Sequence, residues 1–308
     1  MKKIKIIILY FGKLPNYFTL WEQSALENSN FEFLFFSDSY GIERSQKNIN
    51  YFKISFMQIK KRFHNVLGER IVLDSPYKLN DYRPTFGKIF SDEIGDADFW
   101  GYADIDVVLG KLSHFLTDVD FNKYDKIGDR GHLQFFANTQ KMNTLYLKNN
   151  KYGFDFQYAS THKGAYHFDE MWGINGIAKT HEINTKKIES IADISVKKFL
   201  FDGDIDTSYY YKKGMLLKEN KQNTIGEVSY IHLQKRPMTL LNNITDRNSY
   251  RISPAHFLDL STSFSIDEPN DWPEGHYMHL IKYYQSALKK GEITARVPLL
   301  FKKVFNHV

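Results

Sequence analysis

The chain contains no cysteine. No disulfide framework and no thiolate metal site can form, which fits a reducing compartment. No apolar stretch reaches the roughly 18–20 residues of a membrane span. The opening Met1-Lys2-Lys3-Ile4-Lys5, before the apolar residues 6–10, superficially looks like a secretory signal. Its apolar run is too short, Lys5 interrupts the approach to it and no small-residue cleavage site follows, so a first buried strand is expected instead. There is no Gly-x-Ser-x-Gly elbow, Walker phosphate loop, His-Glu-x-x-His pair, or Gly-x-Gly-x-x-Gly after the first strand. These gaps argue against the matching hydrolase, nucleotide-triphosphatase, zinc-protease and dinucleotide-binding chemistries. No repeat recurs at a period of about 20–50 residues. The net charge is a mild +5, and the basic residues form no aromatic-interleaved stripe, so no nucleic-acid partner is expected.

Aromatic residues are plentiful: 25 Phe and 20 Tyr in 308 residues, enough for a sizeable core in one large domain or two small ones. The most informative stretch is Phe99-Trp100-Gly101-Tyr102-Ala103-Asp104-Ile105-Asp106-Val107-Val108-Leu109-Gly110. It reads as a buried strand ending in two carboxylates one residue apart. Each would cost several kcal/mol to bury without a partner. In an extended segment, residues two apart point to the same side. Asp104 and Asp106 can therefore face one point. Such hard oxygen ligands suit Mg²⁺ or Mn²⁺, and the ion would carry phosphate oxygens of a substrate. An Asp-x-Asp triplet alone also fits a solvated turn, but a surface turn does not need these apolar flanks.

Residues 5–10 form a continuous apolar run, the pattern of a strand covered on both faces. Residues 11–15 form a loop, 17–27 an amphipathic helix, and 31–36 a second strand ending in Ser37-Asp38-Ser39. This is the βαβ unit of a mostly parallel sheet, in which ligands sit beyond the carboxyl ends of the strands. Phe11, Gly12 and Asp38 are thus candidates for holding a nucleotide; Asp38 equally fits a turn or cap. A strand over 50–56 and a helix over 57–67 follow. Residues 75–90 hold two Pro, a Gly and closely spaced Lys78, Asp81 and Arg83. They read as a functional loop or short helix whose cations neutralise a diphosphate, or as an ordinary solvated charge cluster. Further on, the pattern predicts a short helix over 111–116 and strands over 124–128 and 132–137. A helix over 140–147 is capped by Asn138-Thr139, and 148–160 forms an aperiodic loop over the site.

Asp169 and Glu170 lie between Trp172 and an aromatic run. One of them either caps the next helix or removes a proton from an acceptor hydroxyl. Strands are expected over 188–196, 214–217 and 227–234. Residues 202–206 imitate a calcium loop but fail at Thr207 and Lys213, which leaves a surface turn. His232, on the last strand, is either structural or, with Lys235 and Arg236 close behind, part of a metal and phosphate site. A helix is expected over 272–290. The basic, apolar tail 296–305 either rests on an anionic membrane or packs on the body.

With these residues in hand, the chain resembles GT-A glycosyltransferases, and more narrowly an uncharacterised family from bacterial capsule and surface-polysaccharide loci. The resemblance runs over about residues 1–240, through residues 10–15, 76–84 and 99–106, Gly131-His132-Leu133 and 232–236. It implies an α/β, Rossmann-like fold: a mixed, mostly parallel sheet flanked by helices. The catalytic domain would be 1–245, with a nucleotide-binding half of about 1–110 and an acceptor-side half of 111–245. Residues 246–308 would be a helical C-terminal extension. The resemblance further implies a nucleotide-sugar donor, most often a UDP-sugar, with Mn²⁺ or Mg²⁺ held by Asp104, Asp106 and His232. Lys78, Asp81, Arg83 and His132 would join donor binding, with Lys235 or Arg236 assisting. Asp169 and Glu170 match where inverting members keep their base, so inversion is preferred over retention. The implied acceptor is a glycan or lipid-linked oligosaccharide at the inner face of the plasma membrane, which places the protein in the cytoplasm. Two other classes stay open: a metal-dependent sugar-binding module without turnover, and a metal-dependent phosphodiester hydrolase.

Overall fold

The computed structural model describes residues 2–39, 46–117, 119–193, 208–219, 224–234, 238–240, 247–253 and 256–260. The strands are β1 (Ile4–Tyr10), β2 (Phe31–Ser37), β3 (Ile49–Lys53), β4 (Phe99–Ala103) and β5 (Val107–Leu109). Then come β6 (Lys126–Arg130), β7 (Leu133–Ala137), β8 (Thr185–Lys186), β9 (Ile191–Asp193), β10 (Ser208–Lys212) and β11 (Met215–Glu219). The last are β12 (Thr224–Val228), β13 (Tyr230–His232), β14 (Thr239–Leu240), β15 (Ser249–Ile252) and β16 (His256–Asp259).

The main sheet has the order β3-β2-β1-β4-β7-β6-β8, which makes β4 its central strand. β1, β2, β3 and β4 pair in parallel, whereas β7 runs antiparallel to both its neighbours. The continuous apolar runs arise because both faces are covered. On one face Ile7, Leu34, Phe36, Trp100, Tyr102 and Phe136 join the core under the helices Phe56–Leu67 and Ile174–Thr180. On the other, Ile6, Ile8, Phe33, Phe35, Phe99 and Phe135 pack with Phe18 and Trp21 of the helix Phe18–Leu26. The protein is therefore a mixed α/β structure with a large, mostly parallel sheet flanked by helices, as expected. Side-chain caps set helix starts. Ser55 and Gln58 form a reciprocal capping box, and Thr139 accepts from the Met142 amide.

A three-stranded sheet, β5-β13-β9, lies between the main sheet and a six-stranded sheet, β12-β11-β10-β15-β16-β14. Its position is visible in β5: Val107 and Leu109 belong to the core of the main sheet, and Val108 to that of the six-stranded one. Strands on either side of residue 245 are paired here, since β15 hydrogen-bonds β10.

Two expectations are corrected. Residues 148–160 are not aperiodic throughout: Asp155 caps a helix over Phe156–Thr161 by accepting from the Tyr158 amide. Residues 227–234 are not one strand. At buried Ser229 the chain leaves β12 and enters β13 of a different sheet, with the Ser229 amide donating to Ser190 and its hydroxyl to Glu189. The expected 75–90 element is a 3₁₀ helix over Pro76–Thr85 followed by a turn of helix at Phe86–Ile89. The expectations for 202–206, 272–290 and 296–305 lie outside the described residues.

Candidate functional site

The strand order runs outward from β1 to β2 and β3 on one side and to β4 on the other. The crevice beyond the carboxyl ends of β1 and β4 is thus the topological switch point where ligands of such sheets bind. Phe11 and Gly12 follow β1, Asp38 follows β2, and Asp104 follows β4. Gly12 has φ +102°, which favours glycine. Its amide donates to Asp38 Oδ1 at 2.8 Å, so Asp38 clamps the loop after β1.

Local period and distant register together build the acid cluster. Asp104 and Asp106 stand between β4 and β5, one residue apart, as the sequence predicted. β13 lies antiparallel on β5 with His232 opposite Val107, and the Leu233 amide donates to the Asp106 carbonyl at 2.7 Å. This register carries His232 Nε2 to 3.6 Å from Asp106 Oδ2. One ligating atom from each of Asp104, Asp106 and His232 lies within 4.8 Å of the others. Asp106 is only 5% exposed.

His132 arrives from the turn between β6 and β7, where its carbonyl accepts from the Asp104 amide at 2.9 Å. Its ring stacks on His232 with centroids 3.6 Å apart. The two imidazoles titrate oppositely. Burial, and then the neighbouring His232, push His132 down to about 4. Burial also acts to lower His232, but Asp106 and Asp193 outweigh it and raise it to about 10. Asp193, at the end of β9, lies 3.0 Å from His232 Nδ1.

Arg83 is the hub on the other side. Its guanidinium donates to Asp104, to the Gly131 carbonyl at 2.9 Å and to Asp169 Oδ2 at 2.7 Å. Burial opposes the Arg83 charge, and Asp104 and Asp169 overcome it, so the group stays a cation. Asp169 is 1% exposed, and its Oδ1 is buried without a hydrogen-bond partner. Burial pushes its carboxyl well above the usual range; Arg83 opposes this, and Glu170 and Asp104 reinforce it. Enclosure dominates, and one guanidinium shared between two carboxylates does not offset it. Glu170, by contrast, is exposed and pairs with His167 Nδ1 at 3.3 Å. Gly131 keeps the hairpin tip close, because a Cβ there would come within 2.9 Å of Glu170 Cγ.

Arg83, Asp104, Asp106, His132, Asp169, Glu170 and His232 are thus linked in one chain of contacts. Lys78 and Asp81 are corrected. Both are 0% exposed. The Lys78 ammonium donates to Asp81 at 2.7 Å and to the Ala159 and Gly164 carbonyls at 2.6 Å each. Asp81 in turn accepts from the Tyr166 and Phe168 amides. All three ammonium donors are used internally, so none remains for a phosphate; the pair staples residues 159–168 to the 3₁₀ helix. Lys235 and Arg236 lie outside the described residues. Asp193 was missed: its one sequence signal is an acid ending a short apolar strand.

Fold and site together define a mixed α/β protein with an acid–histidine cluster at the carboxyl edge of its central strands. The chain belongs to a family of unknown function (DUF6625), which matches residues 6–261. A search of the curated proteins finds no match. Among solved structures the chain is similar to galactosyltransferase LgtC in complex with donor and acceptor sugar analogs, at 11% identity and a TM-score of 0.39, over 74% of this chain and 86% of that one. It is similar to an active-site mutant of LgtC at 12% identity, with the same coverage and TM-score.

Proposed function

We propose that this protein is a metal-dependent glycosyltransferase of GT-A type. It would move a sugar from a nucleotide-sugar, with UDP the first nucleotide to test, to a glycan or lipid-linked oligosaccharide acceptor. The observation that carries the reading is the register of β13 on β5, which brings His232 to the Asp104–Asp106 pair at the topological switch point.

The donor set fits a divalent ion. Two carboxylates and an imidazole with mutually close ligating atoms suit Mn²⁺, and Mg²⁺ less well because of the nitrogen. When bound, the ion would neutralise charge on the departing diphosphate. The residues of the chain supply the rest. The loop at Phe11 and Gly12 lines the nucleotide side of the crevice. Arg83 is held as a permanent cation beside Asp104 and is placed to meet a phosphate oxygen. Asp169 fixes Arg83 and is too enclosed to reach an acceptor. Glu170, the exposed member of the pair, is the acceptor base, and inversion at the anomeric centre follows from it. The basic tail supports a lipid-linked acceptor; truncation after Glu292 with unchanged membrane recovery would remove that support.

The test is UDP release from a panel of UDP-sugars with Mn²⁺, comparing the parent with Asp106→Asn. Slow hydrolysis of one donor is expected, reduced by at least the roughly 10–100-fold that loss of a metal site's outer partner costs. Mn²⁺-dependent UDP-sugar binding without any turnover would replace the enzyme by a binding module.

A further inference from the structure

We propose that Asp193 is a positioning residue of the metal centre: it holds His232 in the tautomer and ring orientation that present Nε2 to the ion. The proposal rests on the metal-dependent reading above. His232 is held at both edges of its ring. Nδ1 is 3.0 Å from Asp193 Oδ1, and Nε2 faces Asp106 Oδ2 across 3.6 Å. The first distance is a hydrogen bond; the second is longer than one and suits two atoms sharing an ion.

An ionised carboxylate only accepts, so Asp193 keeps the hydrogen on Nδ1, and the Nε2 proton that faces Asp106 is the one a metal would displace. Asp193 does not swing freely. The Gln234 side-chain amide donates to the same oxygen at 2.7 Å. β9 runs parallel to β13 with Asp193 opposite His232, so the sheet sets the spacing. His132 stacks on the imidazole and restricts its rotation. Outer partners of this kind fix the tautomer of a metal-binding histidine and raise its basicity.

The test is Mn²⁺ binding to the full chain, followed by electron paramagnetic resonance, with electron spin-echo modulation reporting the nitrogen coupling of a bound imidazole. Asp193→Ala is expected to weaken Mn²⁺ binding about 10–100-fold and to lose that coupling. Asp193→Asn, whose amide oxygen still accepts from Nδ1–H, is expected to keep the coupling and most of the affinity. Wild-type affinity and coupling in Asp193→Ala would overturn the proposal. So would loss of the coupling in Asp193→Asn, which also decides the matter if the alanine variant does not fold. The metal reading fails separately: its failure is a wild-type chain that binds no Mn²⁺, or an Asp106→Asn chain that binds it unchanged.

Discussion

Three residues show how burial, rather than residue type, sets a role. Lys78 looked like a phosphate-binding cation but is locked to Asp81 and two carbonyls with no exposure. Lys78→Met would leave the Asp81 carboxylate buried without its cation. A loss of about 3–5 kcal/mol is expected in chemical denaturation. Lys126 is a second buried lysine, donating to the Gly128 carbonyl and lying 5.4 Å from the Phe136 ring centroid. Burial lowers it from 10.5 to about 7. Between those values the unfolded chain binds a proton that the folded chain lacks, so stability rises as pH rises through that window. Lys126→Met should therefore stabilise the protein most below pH 7, by up to a few kcal/mol, and lose its advantage near pH 10.5. Equilibrium unfolding across that range checks the sign. Arg83 is the third. Arg83→Lys keeps the charge but not the fork that spans Asp104 and Asp169. A large fall in donor turnover is expected, with Mn²⁺ affinity less affected.

Elements transmit these roles because they pack without slack. β4 carries Gly101, where a Cβ would stand 2.4 Å from the Gln134 carbonyl and 2.6 Å from the Phe135 ring. The first obstacle is backbone and cannot turn aside. Gly101→Ala should push β7 away from β4, destabilise by about 1–3 kcal/mol or more, and impair Mn²⁺ binding, because the same two strands hold Asp104 and His132 together. Ser55→Ala is the matched control. It removes a helix cap at a cost of about 1 kcal/mol and should leave metal affinity unchanged. β1, β2 and β4 were legible because burial on both faces demands unbroken apolar runs, whereas β3 was read from alternation and the two-residue β8 was not read. The helix Phe156–Thr161 was not, because its six residues are too short to show a period. The break at Ser229 was invisible for another reason: its amide and hydroxyl are satisfied by residues 189 and 190, some forty positions earlier.

At the scale of the whole molecule, the site depends on three sheets meeting along β5. A nucleotide-sugar bound with Mn²⁺ should therefore stabilise the folded chain as a unit. At 100 times its dissociation constant the gain is about 2.7 kcal/mol, seen as a raised thermal midpoint that Asp106→Asn does not show. What the sequence by itself determined was local. Apolar runs dictated β1, β2 and β4, and the Asp-x-Asp spacing marked Asp104 and Asp106 as a pair, which the fold sets in the bend between β4 and β5. Tertiary structure decided which distant groups meet those acids; of these, His232 was a candidate in the sequence and Asp193 was not. His232 and Asp193 reach the cluster through the pairing of β13 with β5 and β9, and a pairing register is set by packing across long separations. The same packing turned Lys78 and Asp81 inward. Nothing in the spacing of charges within a segment says which side of that segment the body will cover.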